Sequence, residues 1–332
     1  MSRLAILGAG SWGTALAIVL APKFDVVALW ARDVELAEQV RHTRENCRYL
    51  PGFRIPENVL CSPGLAHVLN DSEIVLSAVP SDHTRALFER LRPHVSPSMR
   101  FVSATKGIEN HSLLRMTEVI ADVLRPQFTP RVAALSGPTF AKEVAAGEPA
   151  AVVIASRDAA LAADVQSAFS SPTFRLYTSE DVAGVEIAAA LKNVIAIGAG
   201  ICKGLGLGSN SVAALVTRGL AELTRLAVAL GGKSRTLAGL AGLGDLVLTA
   251  TGDLSRNRFV GLQLGAGKSL PEILAAMTQV AEGVHTCRAA RDLARRASIE
   301  MPIVEKMHEI LYEQKPAATA IRELMERPLT SE

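Results

Sequence analysis

Short apolar runs recur along the first half of the chain, each followed by glycine or a polar turn. Leu4–Leu7, Val26–Trp30, Ile74–Val79, Arg100–Ala104, Val132–Leu135, Ala150–Ala155 and Phe174–Tyr177 all read this way. Runs this short, largely without polar alternation, predict strands buried on both faces, as in a parallel sheet covered by helices. Between the first two lies a helical run, Thr14–Ala21, which Pro22 closes. From about Thr178 onward strand signals vanish and helical periodicity takes over, with Ser179-Glu180-Asp181 reading as a helix start. The pattern predicts an α/β domain over residues 1–178 and an all-helical domain over residues 179–332.

The first strand runs into Gly8-Ala9-Gly10-Ser11-Trp12-Gly13 and then into the first helix. In a dinucleotide site the first glycine makes the tight turn, the second lets backbone approach a pyrophosphate, and the third lets helix and strand pack closely. The helix N-terminus offers N–H groups and partial positive charge to the anion. A glycine turn could merely join two elements, but the strand, helix and second strand here complete the unit the motif requires. The N-terminal domain is therefore expected to be Rossmann-type, with a mostly parallel sheet.

The second strand ends in Trp30-Ala31-Arg32-Asp33. The Arg32 fork suits a 2′-phosphate and favours NADP (as NADPH), whereas Asp33 could turn to the ribose hydroxyls and admit NAD. Lys106 and the Ser136–Lys142 segment follow later strands, so they belong on the same carboxyl-end rim or are plain turn residues in water.

In the helical half, "EIAAALKNVIAIGAGICKGLGLGSN" places Lys192 among apolar neighbours at three- and four-residue spacing: Ala188, Ala189, Ile195 and Ala196. Desolvation disfavours an ammonium, so this lysine is expected to have a lowered pKa and to exchange protons, unless its amine snorkels to water. Gly198, Gly200, Gly204, Gly206 and Gly208 form the densest glycine cluster, which predicts backbone in close approach to something. Asn193 sits awkwardly for a plain core helix. Asp245 could orient the amine, although its charge would raise the lysine pKa and so leaves the direction of the net shift open, and Ser255-Arg256-Asn257 at a helix start could bind a phosphate dianion or simply cap the helix.

Composition narrows the classes. Of 332 residues, 49% are apolar, and 35 basic residues face 33 acidic ones, so no charge excess recruits nucleic acid or a membrane surface. Cys47, Cys61, Cys202 and Cys287 are widely spaced and the histidines form no HxxxH pair, so reduced thiols and no metal site are expected. No signal-peptide layout is evident at the start, and the apolar stretch Ser211–Leu230 is broken by Arg218, Glu222 and Arg225. A cytoplasmic protein without a membrane span is the expectation.

Taken together, GAGSWGTALA, TKGIE around Lys106, SGPTFAKEV from Ser136, the Glu186–Asn210 stretch, GLGDLVLTATGDLSRNR and VAEGV make the chain resemble the bacterial NAD(P)-dependent glycerol-3-phosphate dehydrogenase family. Ala189 and Lys203 depart from it, where the family usually has glycine and an acidic residue. The resemblance implies that Lys192 is the proton acceptor. It implies that Gly8, Gly10, Ser11, Trp12, Gly13, Arg32, Tyr49, Lys106, Ala141, Arg256, Val280 and Glu282 hold the cofactor. Lys106, Gly137, Thr139, Lys192, Asp245, Ser255, Arg256 and Asn257 are implied to hold the substrate, a phosphorylated triose. The implied reaction is reversible hydride transfer between sn-glycerol 3-phosphate and NAD(P)+, supplying glycerol phosphate for phospholipid synthesis. The family is often dimeric, so a homodimer is among the expectations. Two other readings are weighed against this one: another two-domain hydroxyacid or ketopantoate-type dehydrogenase, and a non-catalytic NADP-binding redox sensor.

Overall fold

The computed structural model describes residues 2–277 and 279–328. The expected second domain runs to Glu332, and residues 329–332 lie outside the described residues. The chain forms two compact units, Met1–Lys106 with Leu114–Glu186, and Gly107–Leu113 with Ile187–Glu332.

The first unit is built on an eight-stranded sheet. Its strands are β1 (Arg3–Leu7), β2 (Val26–Trp30), β5 (Val59–Ser62), β6 (Ile74–Ser77), β7 (Arg100–Ser103), β8 (Arg131–Ser136), β9 (Ala150–Ala155) and β10 (Phe174–Ser179), while β3 (Glu45–Asn46) and β4 (Leu50–Arg54) make a separate hairpin. The apolar runs become strands because both sheet faces are covered. Leu4 and Ile6 of β1 enter one core cluster, Ala5 and Leu7 the other, and all four are fully buried. The sheet is mostly parallel, with β8 and β9 pairing antiparallel.

Three strands, β3, β4 and β5, have no counterpart among the apolar runs of the sequence. The hairpin was hidden because Leu50-Pro51-Gly52 reads as a turn, and β5 is a four-residue edge strand with only one buried face.

The strand order is β10-β9-β8-β7-β6-β1-β2-β5. The chain builds outward from β1 through β2 to β5, then returns to the other side of β1 for β6. Beyond the carboxyl ends of β1 and β6 the order reverses, which is where open parallel sheets bind ligands. The Gly8–Gly13 loop leaves β1 at that point.

The second unit is helical, with its own core cluster that includes Leu191, Ile195, Leu223, Leu246, Val260 and Met307. Among the described residues the Val182–Gly204 helix is the one single helix long and apolar enough to cross a membrane, and its most apolar 18-residue window is wholly buried within the protein. Its glycines explain themselves through a neighbour. A Cβ at Gly200 would collide with the Arg258 carbonyl oxygen, and one at Gly204 with that of Leu262. Reciprocally, a Cβ at Gly261 would collide with the Ile197 carbonyl oxygen, and one at Gly265 would lie 2.5 Å from that of Ile201. Two helices thus cross backbone to backbone, each with glycines one turn apart. The close approach expected here is helix on helix.

A buried carboxyl group also joins two helices of this unit. Glu222, 3% exposed, accepts from the backbone N–H groups of Ile303 (2.9 Å) and Val304 (3.4 Å) at the start of the Pro302–Tyr312 helix. Burial pushes its carboxyl from 4.5 up to about 7, against the pull of those donors. The folded chain therefore keeps a proton that the unfolded chain loses, so stability falls as pH rises through the interval between these values. Glu222→Gln should melt higher than wild type at pH 8, with the difference shrinking toward pH 5. Thermal melts at both pH values check this, and a pH-independent offset contradicts it.

Candidate active site

The glycine loop has the geometry of a phosphate cradle. Gly8 adopts φ +114°, and a Cβ there would press within 2.9 Å of the Ala78 carbonyl oxygen. A Cβ at Gly13 would collide with the Gly8 carbonyl oxygen, so helix and strand pack as tightly as the motif requires. At Gly10, by contrast, a Cβ would meet nothing within 4 Å, which leaves that backbone open to a ligand. No side chain caps the Ser11–Leu20 helix. Trp12 Nε1 in its first turn is buried without a hydrogen-bond partner. An uncapped N-terminus, an open glycine and an orphaned donor together fit the pyrophosphate of a dinucleotide.

The β3–β4 hairpin is fastened to this loop. Asn46, fully buried, donates through Nδ2 to the Ala9 carbonyl (2.9 Å) and to Thr14 Oγ1 (2.8 Å), and its Oδ1 accepts from Tyr49 N–H (3.1 Å). Ser11 Oγ donates to the Tyr49 carbonyl (2.7 Å). Tyr49 is thereby seated beside the loop, and Asn46, which sequence reasoning missed, seats it. Nothing in its spacing marks it, because its partners lie in other elements.

At the end of β2, Arg32 is exposed. Asp33 bends toward the backbone of the helix that follows it. Its Oδ1 accepts from Glu35 N–H (2.9 Å) and Leu36 N–H (3.3 Å), capping the Val34–Thr43 helix.

On the same rim, Lys106 Nζ donates to the Gly137 carbonyl (3.1 Å), and Thr139 Oγ1 donates to it at 3.3 Å. A Cβ at Gly137 would lie 2.8 Å from the Val152 Cα, so β8 ends flush against β9. Ala141 opens the short Ala141–Ala145 helix, which packs against the Ser11–Leu20 helix.

In the second unit Lys192 is 4% exposed and Asp245 not at all. Lys192 Nζ donates to Asp245 Oδ1 (2.5 Å) and to Thr249 Oγ1 (2.6 Å), and the threonine hydroxyl donates to the Asp245 carbonyl (2.6 Å). Asp245 and Thr249 stand four apart on one helix and so share a face. A turn of π-helix over Leu240–Gly244 delivers Asp245 into that position. The amine does not snorkel. It is held by a carboxylate and a hydroxyl away from bulk water, as a group with a directed chemical task would be. Thr249 escaped the sequence reading, although its four-residue spacing from Asp245 was a usable signal.

Ser255 Oγ accepts from Arg258 N–H (3.2 Å) and caps the Arg256–Gly265 helix. Asn257 Nδ2 donates to Asn193 Oδ1 (2.9 Å), and its Oδ1 accepts from Gly283 N–H (2.9 Å). A Cβ at Gly283 would lie 2.6 Å from the Asn193 carbonyl oxygen. The residue beside the lysine is therefore tied to the start of the Arg256–Gly265 helix, and the awkward Asn193 is explained.

Arg256 keeps access to solvent, yet enough protein surrounds its guanidinium that desolvation pushes its pKa below the usual value, with the Glu282 carboxylate opposing. Glu282 opens the Glu282–Arg296 helix, and Val280 precedes it, 40% exposed. Lys192, Asp245, Ser255, Arg256, Asn257, Val280 and Glu282 all belong to the second unit, and the remaining expected site residues to the first.

Comparison with known proteins bears on the same segments. Residues 3–162 match the family model for the NAD-dependent glycerol-3-phosphate dehydrogenase N-terminus, and residues 181–322 match that for its C-terminus. The chain is 58% identical to a glycerol-3-phosphate dehydrogenase (NAD(P)+) of Koribacter versatilis, over 100% of this chain and 99% of that one. A crystal structure of glycerol-3-phosphate dehydrogenase from Coxiella burnetii superimposes with a TM-score of 0.94 at 41% identity, covering 98% of this chain and 99% of the other. A ketopantoate reductase from Ralstonia eutropha shares the fold alone, with a TM-score of 0.62 at 18% identity over 96% of this chain and 99% of that one.

Proposed function

The chain belongs to the NAD-dependent glycerol-3-phosphate dehydrogenase family, and we propose that Lys192 is the group that takes and returns the substrate's proton. The enzyme is an NAD(P)-dependent oxidoreductase acting on a CH–OH group, interconverting sn-glycerol 3-phosphate and dihydroxyacetone phosphate. The single observation that carries the assignment of roles is the buried amine held between Asp245 and Thr249.

When bound, the nicotinamide ring supplies the hydride acceptor or donor. The protein's own residues do the rest. In the oxidative direction the free-base amine of Lys192 receives the proton of the C2 hydroxyl as that carbon loses hydride. In the reductive direction its ammonium returns a proton to the ketone oxygen and stabilises the negative charge developing there. Asp245 and Thr249 fix where the nitrogen points. Arg256 and the N–H groups opening its helix grip the substrate phosphate, and Asn257, tied to Asn193, sets that grip at a constant distance from the lysine. Holding the remote phosphate converts binding energy into orientation of C2. Lys106, with Gly137 and Thr139, serves the substrate from the nucleotide-binding unit. Ser11, Trp12 and the glycine loop hold the pyrophosphate, with Tyr49, Ala141, Val280 and Glu282 completing the cofactor's contacts. Arg32 takes the 2′-phosphate of NADP, the preferred cofactor.

The same proposal has the enzyme work reductively, in the cytoplasm and as a homodimer, supplying the glycerol phosphate backbone of phospholipids. Neither alternative dehydrogenase chemistry nor a non-catalytic sensor is favoured for a chain with these relatives.

The test is absorbance loss of NADPH or NADH with dihydroxyacetone phosphate, with dihydroxyacetone and ketopantoate as comparison substrates. Removing the phosphate should lower kcat/KM by at least about 10³-fold, because orientation is lost together with affinity. Equal rates with dihydroxyacetone, or a preference for ketopantoate, would overturn the proposal.

A further inference from the structure

We infer that Arg48 is a second determinant of cofactor choice, acting with Arg32 to select a dinucleotide bearing a 2′-phosphate, while Asp33 is withdrawn from the ribose role that would select NAD. The inference rests on the reading of the Gly8–Gly13 loop as a dinucleotide site.

Asp33 stands where an acidic residue usually accepts hydrogen bonds from the adenosine ribose. Both of its oxygens are committed elsewhere. Oδ1 caps the following helix through Glu35 and Leu36, and Oδ2 pairs with Arg48 Nη1 at 2.9 Å. Reaching for a ribose would require giving up the cap, the ion pair or both.

Arg48 lies in the connection between β3 and β4. Its guanidinium carbon sits 5.3 Å from the centroid of the Tyr49 ring, which restrains the plane of the fork. The hairpin carrying it is no loose flap. The buried Asn46 fastens it to Ala9 and Thr14, and Ser11 Oγ holds the Tyr49 carbonyl one residue from Arg48. The arginine is thereby anchored to the loop assigned to the pyrophosphate, beside the end of β2.

Charge completes the argument. Two guanidiniums, Arg32 and Arg48, stand against the single carboxylate of Asp33, and a phosphate monoester carries about −1.5 to −2 charges near neutral pH. The Asp33–Arg48 pair is exposed, 57% at the arginine side chain and 41% at the aspartate, so it is weak and open to exchange. An arginine fork has five N–H donors, which allows it to share Asp33 and phosphate oxygens at once.

Calorimetric titration of the whole protein with 2′,5′-ADP and with 5′-AMP isolates the 2′-phosphate, without turnover. Arg48→Ala should weaken 2′,5′-ADP about 10-fold and 5′-AMP by less than about twofold. Arg32→Ala should act in the same sense. Asp33→Asn keeps the helix cap while removing the charge, and should tighten 2′,5′-ADP about threefold. An unchanged 2′,5′-ADP affinity in Arg48→Ala, alongside a selective loss in Arg32→Ala, overturns this inference alone. Loss of both nucleotides in Asp33→Asn also overturns it, by restoring Asp33 to the ribose. If the wild type binds neither nucleotide, the dinucleotide reading itself fails.

Discussion

Replacing Lys192 with methionine should lower turnover by at least about 10³-fold while leaving NADPH affinity within about twofold of wild type. The chemical reason is direct, since the variant has no group to exchange the proton at C2. A structural effect must be separated from it. Lys192 and Asp245 are both buried, and removing one partner of a buried pair strands the other charge, at a cost of about 3–5 kcal/mol. The single variant is therefore expected to melt early for a reason unrelated to catalysis. Lys192→Met combined with Asp245→Asn removes both charges and should recover most of the lost melting temperature. Turnover should stay low in the double variant. If stability and activity return together, the lysine was a structural ion and the assignment of the proton to it is wrong.

The second large effect is expected from one methyl group. Gly261→Ala would set a Cβ against the Ile197 carbonyl oxygen, with the Ile201 amide also inside van der Waals distance. Overpacking in a core costs typically about 1–3 kcal/mol when side chains can yield. Here the obstacle is the backbone of the Val182–Gly204 helix, so the loss should reach or exceed the top of that range. Gly208→Ala provides the contrast: a Cβ there meets nothing within 4 Å, and the change should cost at most about 1 kcal/mol through a poorer N-cap. Chemical denaturation of the two variants compares them directly. Gly261→Ala should also raise KM for dihydroxyacetone phosphate in whatever fraction folds, because the forced separation of the helices pulls Asn257 from Asn193. Equal stability losses at the two glycines would mean that the helix crossing is not the constraint the structure indicates.

Much of this was legible in the chain because its carriers are local. Leu4–Leu7 followed by three spaced glycines and a helical run is one contiguous unit, and its chemistry follows from backbone geometry within a few residues. Lys192 among Ala188, Ala189, Ile195 and Ala196 stood out for the same reason, although its neighbours left open whether the amine is buried or snorkels. The Arg256 helix start, capped by Ser255, could be read from Ser255-Arg256-Asn257.

Other features were decided only where distant segments met. Asp245 is 53 positions from the lysine it holds, and Asn257 is 64 from Asn193. The glycine cluster announced close approach but not to what; its partner was a second glycine-bearing helix. Asp33 was ambiguous because its neighbours in sequence admit either a cap or a ribose contact, and Arg48, from a hairpin disguised by Pro51 and Gly52, is what occupies its second oxygen.

The sequence by itself determined the strand and helix alphabet, the phosphate-binding loop and the presence of one unusual lysine, since periodicity, glycine spacing and local polarity act over one or two turns. Only the tertiary structure decided that β6 returns beside β1 to open the binding crevice, that Lys192 is locked by Asp245 and Thr249, and which way Asp33 faces. Each of those outcomes depends on hydrogen bonds and packing between residues far apart in the chain, whose geometry no local pattern encodes.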